Sequence, residues 1–98
     1  MSNQDLVLPP QTLLNHAFKI AAMEDRPIMC DYWASSMNKE CFIGVRKDDG
    51  EKLLVKSAEE YTSTISKIFS IEKKYYIILT ENSLYIVHSD IPTKSVSF

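Results

Sequence analysis

Residues 73–89, KKYYIILTENSLYIVHS, are apolar on two sides at once. Two β-rich runs flank a polar break at Glu81, Asn82 and Ser83, the pattern of a β-hairpin. In a strand, Tyr75, Ile77 and Leu79 point one way while Tyr76 and Ile78 point the other. An antiparallel strand with one wet face alternates apolar with polar, and this one does not. Both its faces need cover. A helix supplies one cover, and a second helix, a second subunit or a partner supplies the other.

The chain has 98 residues, 45% of them hydrophobic and 24% charged. That is one globular domain. A chain of this size buries roughly 65% of the surface its unfolded form exposes, enough for a core without disulfides or metal. The formal charge is −2 and the basic residues are scattered. A nucleic-acid surface needs a clustered basic face, so neither DNA nor RNA is an expected partner. No apolar run approaches the ~20 residues of a membrane span. The first ten residues, MSNQDLVLPP, lack the basic region and apolar core of a secretory signal. Two cysteines, Cys30 and Cys41, are too few for a secreted disulfide scaffold. An intracellular, cytoplasmic setting is the expectation. Arg26 and Arg46 are the only arginines, against abundant Ile, Lys, Tyr and Asn. Such usage marks an AT-rich genome, as in large DNA viruses, some protists and many bacteria. For a virus the setting would be host cytoplasm or virion.

Along the chain, 1–10 reads as an extended arm ending in Pro9 and Pro10. Residues 11–91 form a single domain, and 92–98 a tail able to add a short edge strand. Leu13, Leu14, Ala17, Phe18 and Ala21 recur at helical spacing, which predicts a helix over 12–24 with Thr12 as N-cap, ending before Pro27. Residues 28–33 read as a strand in which Tyr32 and Trp33 face opposite ways, so that one of the two faces outward or toward a partner. Residues 34–39 read as a loop and 41–46 as the next strand. For the turn after it, a two-residue Asp49-Gly50 loop pairs Val45 with Leu54. A three-residue loop 48–50 pairs Val45 with Leu53 and Ile43 with Val55, apolar against apolar. The second is preferred, and it puts Gly50 in the left-handed region.

Ser57 and Glu60 match a capping box. Ala58, Tyr61, Ile65 and Ile68 follow at spacings of 3, 4 and 3, which predicts a second helix over 58–69. Its centre, Thr62-Ser63-Thr64, is poor in helix formers, so packing would have to stabilise it. The register of the hairpin 73–89 stays open, because burial excludes no pairing. The expected fold is α+β: a five-stranded antiparallel sheet with two helices, in the order α-β-β-β-α-β-β.

The chemistry-bearing residues form no site pattern. Cys30 and Cys41, each beside an acid (Asp31, Glu40), lack the electropositive setting of a reactive thiol. They read as small buried apolar residues. His16 and His88 lie far apart and do not form paired zinc-ligand spacing with the cysteines. The run 48–51 is too short for a calcium loop. Gly44 and Gly50 make no phosphate-cradling loop; Gly44, inside a strand, marks a bulge or a close approach. No catalytic, metal or cofactor residue is expected.

The function expected from this pattern is a small non-catalytic protein-interaction or assembly domain, self-associating through its two-sided hairpin. The candidate interface residues are Trp33, Tyr75, Tyr76, Ile77, Ile78 and Tyr85, since aromatic anchors dominate interfaces. The alternatives are a structural component of a larger assembly, such as a small virion protein of a large DNA virus, and a small Cys/His-dependent enzyme.

Overall fold

A computed structural model describes residues 9–97; the extended arm expected over 1–10 lies almost wholly outside them. The elements run α1 (Gln11–Glu24), β1 (Ile28–Met29), α2 (Trp33–Met37), β2 (Phe42–Arg46), β3 (Lys52–Ser57), β4 (Glu60–Ile71), β5 (Tyr75–Thr80), β6 (Leu84–His88) and β7 (Thr93–Val96). The fold is α+β, but the sheet is not five-stranded and antiparallel. It has seven strands in the order β1-β6-β5-β4-β3-β2-β7 and is mixed. β1 runs parallel to β6, and β7 runs parallel to β2.

The first helix forms as its spacing predicts. Leu13 and Ala17 are fully buried and Leu14, Ile20 and Ala21 pack beside them, whereas Phe18 is exposed on the flank of the stripe. Pro10 precedes the helix with no side-chain cap, so Thr12 is not the N-cap. Asp25 ends it in a left-handed conformation, φ 57°, with the Arg26 N–H donating to the Ala21 carbonyl at 3.2 Å. This is a C-terminal turn that Pro27 then prevents from continuing.

The largest correction is the second helix. Residues 60–71 are the 12-residue strand β4. Its first half pairs with β3 (Ser57 with Glu60, Leu53 with Thr64) and its second half with β5 (Ile65 with Thr80, Ile71 with Tyr75). Between Ile65 and Lys67 a bulge adds one residue to β4. That extra residue leaves Ile65 and Ile68 on one face although they are three apart in sequence. A helical spacing is thereby mimicked within a strand. The Ser57 hydroxyl does make a local bond, but it accepts from the Glu59 N–H at 3.2 Å within the β3–β4 turn and caps no helix.

The β2–β3 turn is also longer than expected. Val45 pairs with Lys52 and Ile43 with Leu54, which leaves a four-residue loop, 47–50. The Gly50 N–H donates to the Arg46 carbonyl at 2.9 Å, and the Asp49 side chain accepts from the Glu51 N–H at 2.9 Å. Gly50 does take positive φ, 75°. The pattern of apolar matches favoured the shorter loop because both faces of β3 are buried: Leu53, Leu54 and Val55 are all fully enclosed. Gly44 marks a close approach, since a Cβ there would lie 2.9 Å from a Val55 methyl and 3.1 Å from one of Val96.

The hairpin β5–β6 closes through a two-residue turn that sets its register at Leu79 with Leu84 and Ile78 with Tyr85. The buried Thr80 hydroxyl holds this turn, accepting from the Ser83 N–H at 3.1 Å and from the Asn82 N–H at 3.3 Å. The preceding turn uses Glu72 and Lys73, at φ 56° and 59°, with the Lys74 N–H donating to the Ile71 carbonyl at 3.0 Å. Both residues sit at positive φ without being the Asn or Gly that such positions favour.

Both faces of this hairpin are covered from within the chain. On one, Leu13 and Ala17 of α1 and Trp33 of α2 pack on Ile77, Leu79, Leu84 and Ile86. On the other, Ile43 and Leu54 from the β2–β3 half join Ile78 and Val87, with Tyr32, Cys41 and Ile91 completing the cluster. Each such aliphatic side chain contributes roughly 1.5–3 kcal/mol by leaving water.

Candidate functional site

The thiols and imidazoles stand apart. Cys30 is exposed and Cys41 is buried, both as free thiols; the expectation that both are buried holds for Cys41 alone. Burial pushes the Cys41 thiol up to about 11, and Lys56 nearby opposes that only in part. His16 is exposed on α1, while His88 on β6 accepts through Nδ1 from the Asp90 N–H at 3.3 Å and lies edge-on to Tyr75. Among the described residues no three His, Cys, Asp or Glu side chains gather where they could hold a metal ion. No helix among them is long and apolar enough to cross a membrane.

The structure places the candidate interface residues mainly inside. Trp33 is 3% exposed, and Ile77 and Ile78 are sealed. Tyr75, Tyr76 and Tyr85 are half-buried around the two clusters. Trp33 and Tyr75 meet at a tilt with ring centres 5.8 Å apart on the α1 side, and Tyr32 meets Tyr85 edge-to-face at 5.3 Å on the other. Burial raises the Tyr85 hydroxyl, with Asp31 adding to the effect. It raises that of Tyr32 further, and there Glu60 adds to it. Tyr32 and Trp33 do face opposite ways, yet neither faces outward. They begin the short helix α2, which straddles the edge of the sheet at β6 and sends one ring over each face.

With both faces of the hairpin closed, the unpaired sheet edges are where another strand could add. An unpaired strand edge presents a row of N–H and C=O groups to any other strand, and proteins usually shield it. The β6 edge is shielded twice. β1 pairs with Leu84 and Tyr85. Past it, the buried Ser36 hydroxyl of α2 accepts from the His88 N–H at 2.9 Å while donating to the Trp33 carbonyl at 2.6 Å. The β7 edge is short, four residues, and follows Pro92. It carries Lys94, whose ammonium lies 4.9 Å from the centre of the Phe42 ring.

The third edge lacks these devices. β3 begins at Lys52, and its last partner on β4 is Thr64. From there to Ile71, β4 has β5 on one side and no strand on the other among the described residues. Ser66, Lys67, Ile68 and Ser70 are exposed, Ile68 by 37%. An open depression of about 340 Å³ lies where this edge meets the end of the β2–β3 turn, lined by 50–52 and 65–68. Lys67 reaches Glu24 of α1 at 3.9 Å, so its charge lies over a sheet face rather than across the edge. Reading 58–69 as a helix hid this surface from sequence reasoning. The β-branched run Thr62, Thr64, Ile65, Ile68 was the signal that could have found it.

No protein-family model, curated protein or solved structure matches the chain.

Proposed function

We propose that this chain is a small non-catalytic domain that works by binding protein, and that its own copy is the first candidate partner. The observation supporting the reading is the bare outer edge of β4 beside two edges that are shielded. Main-chain groups at such an edge supply affinity to an added strand, and alternate side chains supply selectivity. The exposed Ile68 adds apolar surface to the same edge. The two-sided hairpin offers no comparable surface, because its cover is internal.

Native mass spectrometry of the protein isolated from the cells that make it tests this reading. An assembly heavier than the 11.2 kDa chain, of fixed stoichiometry, is the expected result. A lone chain at every concentration found in those cells would overturn it.

A further inference from the structure

We propose that β7 is a displaceable strap: residues 93–96 leave β2 while the rest of the domain stays folded, and the bared β2 edge takes an extended segment of another protein in their place. The proposal concerns the β2 edge and does not rest on the reading of the β4 edge. Three observations carry it.

The first is how little holds the strap. Thr93, Lys94 and Ser95 are exposed, and Val96 is its one buried side chain. β7 lies at the end of the strand order and pairs with β2 in parallel, the slightly weaker of the two ladders. On release the backbone groups of both strands bond to water instead, so their net loss is small. The backbone of four residues gains freedom at the same time. The burial of Val96 is the main term that opposes release.

The second is where the attachment changes. Just before the strap, Ile91 is buried in one cluster with Ile78 and Val87, and the Pro92 carbonyl accepts from the Ile43 N–H at 2.9 Å. These contacts hold the link in place, so release stops at Pro92. At the far end the Val96 carbonyl accepts from the Lys47 N–H at 3.1 Å, a bond that release breaks.

The third is the shape of what release uncovers. Gly44 leaves a recess that Val96 fills: a Cβ there would lie 3.1 and 3.3 Å from the two Val96 methyls and 2.9 Å from one of Val55. In strand addition, main-chain groups of an edge supply affinity and a pocket for a side chain supplies selectivity. The bared β2 edge has both. The seated strap shows the chemistry the edge accepts: an extended segment parallel to β2, polar except for one β-branched apolar residue that enters over Gly44. The strap is thus an internal competitor, and a partner binds only in proportion to the released fraction.

Two measurements on the full chain test the proposal. In native-state hydrogen exchange the Lys47 amide should be protected at least about tenfold less than that of Ile43, which lies on the same edge but is held by Pro92. Equal protection of the two overturns the proposal. The second measurement uses a fluorescent synthetic peptide of residues 93–98, TKSVSF. Val96→Ala in the chain weakens the strap and leaves the recess intact, so the peptide should bind this variant at least about tenfold more tightly than the parent. Adding Gly44→Ala fills the recess and should abolish binding. A peptide that binds parent and Val96→Ala alike, or binds neither, overturns the proposal, as does undiminished binding after Gly44→Ala. If a variant fails to fold, the exchange rates of the parent still decide.

Discussion

Ile68 and Ile78 are the same residue type, directly opposite each other on adjacent strands and on the same sheet face. One is 37% exposed and the other is sealed. Strand propensity does not separate them; what lies above and beside them does. Ile78 sits in the interior of the sheet, in one cluster with Leu54 and Val87. Ile68 sits on a strand whose other side has no neighbour among the described residues. β5 therefore holds the domain together, while β4 past its bulge is stable by virtue of β5 and open outward. An apolar residue in a strand argues for cover; its position in the strand order decides whether that cover comes from the chain or from elsewhere.

The sharpest way to break this comparison is to truncate the interior on each side. Ile77→Ala on the α1 face and Leu54→Ala on the other should each cost about 2–5 kcal/mol. Urea unfolding would read both. A small loss for either would mean that its face of the hairpin is not closed by the chain. Next comes Gly44→Ala. Its added methyl would sit 2.9 Å from a Val55 methyl, inside the tightly packed β2–β3–β7 half, and should cost roughly 1–3 kcal/mol through overpacking. An unchanged midpoint would show that Val55 and Val96 do not close over Gly44. Gly50→Ala meets no atom within 4 Å but keeps φ at 75°. It should cost on the order of 1 kcal/mol through backbone strain alone. The gap between the two glycine variants separates packing from backbone conformation.

The smallest expected effect is alkaline. Burial raises the Cys41 thiol from 9.0 to about 11 and raises the Tyr32 hydroxyl. The unfolded chain therefore releases these protons first as pH rises. The stability tied to the neutral Cys41 is fully present below pH 9 and is lost between 9 and 11, and Tyr32 adds to the loss above pH 10. The urea midpoint should fall between pH 8 and pH 10.5 in the parent and fall less in Cys41→Ala. Equal falls would remove Cys41 from the cause. At pH 8 the exposed Cys30 should react with an alkylating reagent while Cys41 stays masked until unfolding.

Much of the fold was legible where periodicity and chain breaks agree. α1, the β2–β3 hairpin, the left-handed Gly50 and the hairpin β5–β6 all carry local signals that the tertiary structure keeps. β4 was not legible for a specific reason. Its bulge shifts the apolar phase by one residue, so Ile65 and Ile68 share a face at helical spacing, and Ser57 with Glu60 imitates a capping box. The Glu72–Lys73 turn that ends it carries none of the residues such turns favour. α2 is too short for periodicity to show, and its role at the β6 edge rests on one hydroxyl, Ser36, and two rings. β7 pairs with β2 in parallel although β3 to β6 lie between them in sequence, which local pattern cannot encode. The hairpin's demand for two covers was legible, but not that the β2–β3 half of the same sheet and segments around α2 supply the second. The candidate site followed the same division: its aromatic members were readable, with Trp33 buried and Tyr75, Tyr76 and Tyr85 half-buried against the two clusters, while the bare edge lay in the segment read as helix.

The central claim is that β5 is interior and the outer half of β4 is an open edge. Urea unfolding of Ile78→Ala and Ile68→Ala, compared in dilute protein where association is negligible, tests it most directly. Ile78→Ala should lose about 2–5 kcal/mol and Ile68→Ala less than about 1 kcal/mol. Equal losses would contradict the account, because they would make Ile68 as much a part of the core as its cross-strand partner.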